Sequence, residues 1–317
     1  METTILLLPE LSVSRKSKKM GKRRRSKYAR RNARNGFLLV LPALVLLVLF
    51  FIVPLLKVIQ ISFYDWPLLG DPSWTGIDNY VEMFQDESFM ESVRFSALYA
   101  AILVPTLLVI GFLLALLLNE PRRGVGFFRT LFFAPVVVGF ASASYLWIYL
   151  VNSRVGILDR ALVDVGLTEE PVVWLADSKL ALLSVLSMVV WKSVGFGTLL
   201  LLAGLQSIPG DIVEAARIDR VSWFQMLREI KLPMMRRPIA LTLVLSAVGA
   251  LLSFEQFYLL TGGRANTTPV VMAIFNISFG RFQLGTGAAM SVVLLITVVI
   301  ISGVQLLILK DQSEVNE

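Results

Sequence analysis

Residues 207–233 read Ser-Ile-Pro-Gly-Asp-Ile-Val-Glu-Ala-Ala-Arg-Ile-Asp-Arg-Val-Ser-Trp-Phe-Gln-Met-Leu-Arg-Glu-Ile-Lys-Leu-Pro, a charged and polar stretch set between two long apolar runs. Two helix starts are legible in it. Asp211 with Glu214 three residues on, and Ser222 with Gln225, have the spacing at which side chains and orphan backbone amides satisfy one another reciprocally. The first helix is expected over about 212–219, where Ala215 and Ala216 favour helix and leave room for a close neighbour. The second is expected over about 223–231, stopped by Leu232-Pro233 because proline restricts the residue before it and has no amide proton. Trp223, Met226, Leu227 and Ile230 then share one face. The whole is a helix-turn-helix elbow.

Outward from this elbow the chain is too apolar for a soluble domain. Of its 317 residues 56% are hydrophobic, against roughly 45–50% in average globular chains. The excess falls in six runs, at 37–61, 95–118, 131–151, 180–205, 239–260 and 288–309, each close to the roughly twenty residues that cross a bilayer. Prolines 42, 54 and 135 are tolerated within such helices. The absence of cysteine excludes disulfides, thiolate metal sites and thiol nucleophiles, and the absence of histidine removes the commonest general base and metal ligand. Gly124-Val125-Gly126 is not a phosphate cradle, because no GxxxxGK[ST] occurs and these glycines follow a membrane helix. The sequons at Asn266 and Asn276 are chance matches.

Charge then orients the spans. The net charge of +7 suggests nucleic acid until the positions are read: 12 Lys or Arg residues lie within 15–34 with no acid, directly before the first apolar run. With Tyr28 as the sole aromatic there, anionic lipid is the better partner. Of 30 basic residues, 22 lie in the tails and in the loops at 119–130 and 207–238, and 5 in the three other loops. Both termini and the elbow are therefore expected inside. Residues 65–91 carry seven acids and are expected outside, either as an interfacial helix with Tyr80 and Phe84 at headgroup depth or as a docking surface. The segment 1–14 is too short and misordered for a secretory signal, and Met20 is an alternative start.

Glu214-Ala215-Ala216, Asp219 three residues on, and Ile230-Lys231-Leu232-Pro233 resemble the cytoplasmic coupling loop of permease subunits in binding-protein-dependent ABC importers, and most closely those of carbohydrate type. Gly76-Ile77-Asp78-Asn79-Tyr80 ahead of Phe84, Phe127-Phe128-Arg129-Thr130, Gly156-Ile157-Leu158 with Trp174-Leu175, and Thr261 to Thr267 resemble the same family, so the likeness covers roughly 37–309. It implies an all-α integral membrane protein with six transmembrane helices. It also implies a basic tail at 1–36, a transmembrane domain at 37–309 and a short tail at 310–317. The 207–238 loop would dock in the cleft of an ATPase through Glu214, Ala215, Ala216, Asp219, Arg220, Trp223, Leu227, Ile230, Leu232 and Pro233. The implied partners are a second permease, two ABC ATPase subunits that hold ATP and magnesium, an extracytoplasmic binding protein and membrane lipid, in a bacterial inner membrane. No cofactor, metal or catalytic residue is expected in this chain. The family has Gly where Arg220 stands, Asn-Thr for Phe95-Ser96 and Pro for Arg264. Arg220 must either adopt a left-handed conformation at a cost of about 1 kcal/mol or bend the turn differently.

Charges inside the spans are costly, by roughly 2.5–3.5 kcal/mol at a helix centre. Lys192 lies midway along the fourth run and Glu255 in the outer part of the fifth, and the two could pair. Two readings stand side by side. Either Lys192, Glu255 and Gln256 line the path and offer hydrogen bonds to a hydroxyl-rich solute, or Lys192 snorkels and Glu255 supports helix packing. Ser193, Gly195 and Gly197 read as close-packing positions. The alternatives are an ion-coupled secondary transporter, which needs midplane carboxylates and a repeat, or an ABC permease for another solute such as a glycerol phosphate.

Overall fold

The computed structural model describes residues 32–67, 69–120 and 123–308. The tails expected at 1–36 and 310–317, apart from 32–36, lie outside these residues, as do Met20 and Arg122. The chain separates into two compact units, Met1–Lys57 and Val58–Glu317. In the first, an apolar helix begins at Asn32 (α1, Asn32–Ile61), its last turn belonging to the second unit.

The second unit continues with a short hairpin, β1 (Tyr64–Asp65) paired antiparallel to β2 (Ser73–Trp74), and helix α2 (Asp78–Gln85). Then follow α3 (Glu87–Asn119), α4 (Val125–Val137), α5 (Phe140–Leu150), α6 (Ile157–Asp164) and α7 (Ser178–Gln206). The elbow is α8 (Gly210–Ile218) and α9 (Trp223–Met234). After it come α10 (Arg236–Leu251), α11 (Glu255–Leu260), α12 (Val270–Gly280) and α13 (Leu284–Ile308). Among the described residues α1, α3, α7 and α13 are each long and apolar enough to cross a bilayer. Six spans result when each of the bent pairs α4–α5 and α9–α10 counts as one.

Several boundaries differ from expectation, each for a physical reason. The run at 131–151 is not one straight helix: α4 and α5 meet at 100° across Val138-Gly139. Pro135 withholds an amide from the last turn of α4, and Gly139 in extended conformation starts α5. The run at 239–260 breaks after Leu251 and resumes at Glu255. The stretch between the fifth and sixth runs contains α12. Its first amide, of Val270, donates to the Ser96 hydroxyl at 2.9 Å, so α3 caps α12 across 174 positions of chain. Ser96, a departure from the family pattern, thus has a structural partner.

Two prolines sit just past π-type turns, Pro54 after Val48–Ile52 and Pro233 after Met226–Lys231. A proline ring presses on the carbonyl four residues back. Widening that turn to i→i+5 bonding, as in Val53 N–H to Val48 O and Leu232 N–H to Leu227 O, lets the helix run on. The expected stop at Leu232-Pro233 is thereby corrected: α9 passes through Pro233 to Met234.

The core lies where α3, α7 and α10 pack together. Tyr99, Leu103, Met188 and Phe257 are buried in its middle, and Leu118, Leu201, Leu205 and Met235 at the elbow end. Close approach depends on glycine at Gly195, where a methyl group would land on the Phe132 carbonyl oxygen of α4. At Gly197 a methyl group would make ordinary contact with the Thr242 methyl at 3.4 Å, so glycine is not required there. Arg129 turns back to donate to the Leu118 carbonyl at 2.8 Å, capping the end of α3.

Candidate functional site

Two places gather the residues the sequence singled out. At the elbow, the Ser222–Gln225 box forms as expected, with Gln225 N–H to Ser222 Oγ at 3.3 Å and Ser222 N–H to Gln225 Oε1 at 3.1 Å. The Asp211–Glu214 box does not. Helix α8 starts earlier, at Gly210 behind Pro209, which leaves Asp211 inside the first turn, where its charge still favours the helix end. Its far end closes with Val221 N–H to Ala216 O and Arg220 N–H to Arg217 O, the paired bonds of a Schellman turn. That turn requires a left-handed residue, and Arg220 supplies it with φ 57°. Of the two conformations open to Arg220, the strained one is therefore adopted.

Burial divides the elbow residues. Ala216 is buried, as is Met226, and Leu227 and Ile230 are half-buried, facing inward. Glu214, Ala215, Asp219, Arg220, Leu232 and Pro233 are exposed. Ile218, Trp223 and Phe224 are exposed to 80%, 66% and 61%, so both helices of the elbow present large apolar side chains outward. Trp223 thus parts from Met226, Leu227 and Ile230, with which it was expected to share a face.

The second place is a cavity of about 530 Å³ between α3, α7, α10 and the two helix breaks. Lys192, Glu255 and Gln256 all line it. Phe140, Phe196 and Phe254 form apolar walls, and Ser193, Thr242, Ser246 and Ser253 add hydroxyls. Ser193, expected at a packing position, is one of these lining groups. Lys192 is buried. Its ammonium lies 3.5 Å from the Val136 carbonyl and 4.3 Å from the Phe140 ring centroid, on either side of the α4–α5 break. Carbonyls in the last turn of α4 have no helical partner and carry partial negative charge, so a cation there is favoured. Glu255 opens α11 and is exposed, whereas Gln256 is buried. Among the described residues no ion pair within 4.0 Å joins Lys192 to Glu255, so the expected pairing is not made.

Sequence reasoning missed further positioning groups. Asp159 accepts from Val172 N–H and from Trp174 Nε1, both at 3.1 Å, and so ties the Gly156-Ile157-Leu158 and Trp174-Leu175 segments together. Asn79 donates to the carbonyls of Ser62 and Tyr64, each at 3.0 Å, and its oxygen accepts from Thr286 at 3.3 Å. That joins α2, the hairpin and α13. An acid or amide at the heart of each loop motif was the available signal.

Comparison with known proteins places the chain in a family. Residues 107–312 match the family described as "Binding-protein-dependent transport system inner membrane component". The trehalose/maltose transport system permease protein MalF of Thermococcus litoralis is 32% identical, over 86% of this chain and 92% of that protein. The probable ABC transporter permease protein YurN of Bacillus subtilis is 31% identical over 88% and 97%. The lactose transport system permease protein LacF of Rhizobium radiobacter is 30% identical over 86% and 92%. In fold, the chain resembles a chain of the crystal structure of a bacterial ABC transporter involved in the import of the acidic polysaccharide alginate. The TM-score is 0.79 at 22% identity, covering 90% of this chain and 98% of that one.

Proposed function

Because the chain belongs to the family of binding-protein-dependent transport system inner membrane components, we propose that it forms half of the translocation route of an ATP-driven importer for a sugar or related hydroxylated solute. It is a multi-pass membrane protein. Relatives named for trehalose/maltose, lactose and diacetylchitobiose uptake support the solute class. The hydroxyl, amide and aromatic lining of the cavity agrees with it.

The observation that carries the reading is the joint at Met235. This single residue separates α9 from α10, is fully buried, and is packed among Leu118, Leu201 and Leu205. Beside it Gly204 admits the Pro238 ring against α7, where a Cβ would meet that ring at 2.5 Å. A push on the exposed face of the elbow therefore reaches α10, one wall of the cavity, through packed atoms with little slack. The proposed cycle is alternating access. Two ATPase subunits bind ATP and magnesium, close, and carry the elbows of this chain and of a second, different permease. The cavity then opens to solute from an extracytoplasmic binding protein. ATP is hydrolysed on the ATPases and not here. The distribution of basic residues supports an elbow and termini on the cytoplasmic side, in a bacterial inner membrane.

The test is co-purification with reconstituted uptake. Replacing exposed Glu214 by Arg and Ala215 by Trp is expected to release the ATPase and abolish ATP-driven uptake while the chain remains in the membrane. Solute movement catalysed by this chain without an ATPase would overturn the reading.

A further inference from the structure

The cavity lining carries one base and one acid, and the structure treats them oppositely. Lys192 is 8% exposed, and its ammonium is turned to the Val136 carbonyl and the Phe140 ring. The partial negative charge at the end of α4 offsets the ammonium in part. Glu255 is exposed, and among the described residues no hydrogen bond and no ion pair within 4.0 Å engages its carboxylate, whose charge acts on Lys192 from farther off. Every other polar lining group is neutral: Ser193, Thr242, Ser246, Ser253 and Gln256. Thr242 already donates to the Pro238 carbonyl, while the Ser253 hydroxyl is buried without a partner. A solute in this space therefore meets neutral hydrogen-bonding groups, aromatic walls and one presented carboxylate.

We infer that Glu255 sets the charge preference of the cavity, admitting uncharged and cationic hydroxylated solutes and holding back anionic ones. The inference rests on the reading of this cavity as part of the transport route. Its physical basis is that a cleft with low-dielectric walls focuses the field of a single charge, and solvent at its mouth screens it only in part. A carboxylate-bearing or phosphorylated sugar would have to pass Glu255 with Lys192 withdrawn to the α4 end. A neutral sugar meets no such barrier, and the carboxylate accepts its hydroxyl protons in strong hydrogen bonds. Glu255 is thus a specificity residue and Lys192 a positioning residue that holds the α4–α5 break.

The chain contains no cysteine, which permits a direct test that needs no knowledge of the solute. Single cysteines replace Ser193 and Ser246 in the full chain, assembled with its partner subunits in proteoliposomes. Each is treated with a cationic trimethylammonium-ethyl and an anionic sulfonatoethyl thiosulfonate, and labelling of this chain is followed by mass spectrometry. Rates are normalised to those of a free thiol. The cationic reagent is expected to react faster, and E255Q to lower the cation-to-anion ratio by roughly five-fold, the effect of one unit charge at about 10 Å in a partly wet cleft. E255D is expected to keep the preference, which separates charge from general damage to α11. A ratio unmoved by E255Q, or an anionic preference in the native chain, overturns the inference and leaves the transport reading standing. Failure of both cysteines to react with either reagent, from either side and with or without ATP, removes the cavity from the route and sinks both.

Discussion

Substituting Gly195 by alanine puts the packing of α4 on α7 to a quantitative test. The added methyl carbon would fall on the Phe132 carbonyl oxygen and within 3.1 and 3.2 Å of the Phe132 carbonyl carbon and Phe133 Cα. All three atoms are backbone, so no rotamer change relieves the overlap. Only moving α4 away from α7 does, and overpacking of this kind costs about 1–3 kcal/mol. Lys192 is one turn back along α7 and Val136 one turn on along α4, so the same movement lengthens their 3.5 Å contact past hydrogen-bonding distance. At roughly 2–4 °C per kcal/mol for a large domain, the thermal midpoint of the purified complex should fall by about 2–12 °C. Uptake should fall with it. Gly303 is the control, since a Cβ there meets nothing within 4 Å. Its replacement by alanine in mid-helix should be neutral or stabilising by up to about 1 kcal/mol. Equal midpoints for the two variants, measured by intrinsic fluorescence, would refute the close-packing argument.

Arg220, held at φ 57°, should gain from glycine and suffer from a β-branched residue. R220G is expected to slow hydrogen exchange at the Val221 amide, which bonds to Ala216 O at 3.0 Å, and R220V to speed it by destabilising the turn by roughly 1–2 kcal/mol. Equal exchange in all three forms would contradict strain at this position. At the other end of the molecule, Ser96→Ala should leave the buried Val270 amide without an acceptor, at a cost of about 1–3 kcal/mol. Ser96→Thr should keep the bond. A thermal midpoint unchanged by the alanine would show that the 2.9 Å contact contributes nothing.

How far the sequence could be read depended on the range of the forces involved. Helices α1, α3, α7 and α13 were visible because burial in lipid acts on composition alone, and the six apolar runs required no knowledge of contacts. The Ser222–Gln225 box was visible because its partners are three residues apart. The helix through Pro233 was not, because proline's local preference is overridden by a π-type turn that only the assembled α9 displays. Likewise the break inside 131–151 was hidden by unbroken hydrophobicity, and α12 by its length. A helix of that size cannot cross a bilayer and is held by α3 through Ser96 and by α13 at Gly287. Lys192 and Glu255 were found because charge in an apolar run is conspicuous, and Gln256 as the polar neighbour of Glu255. What each does with its charge depended on neighbours as far away in sequence as Val136 and Phe140.

The two helix breaks make sense only together. In hydrocarbon an unpaired backbone polar group costs several kcal/mol, so a membrane helix is interrupted only where protein or water takes over the freed groups. The break at 138–139 has Lys192 on the Val136 carbonyl and Phe140 beneath the ammonium. The break after Leu251 places Phe254 at φ −141°, ψ −62°, outside helical geometry, and exposes Glu255. Both line one cavity of about 530 Å³, which also holds the unpartnered Ser253 hydroxyl. A solid apolar filling would strand that hydroxyl and the Glu255 carboxylate. Water or a hydroxyl-rich solute satisfies both, so the cost of interrupting two helices is offset where, and only where, the space between them is wet.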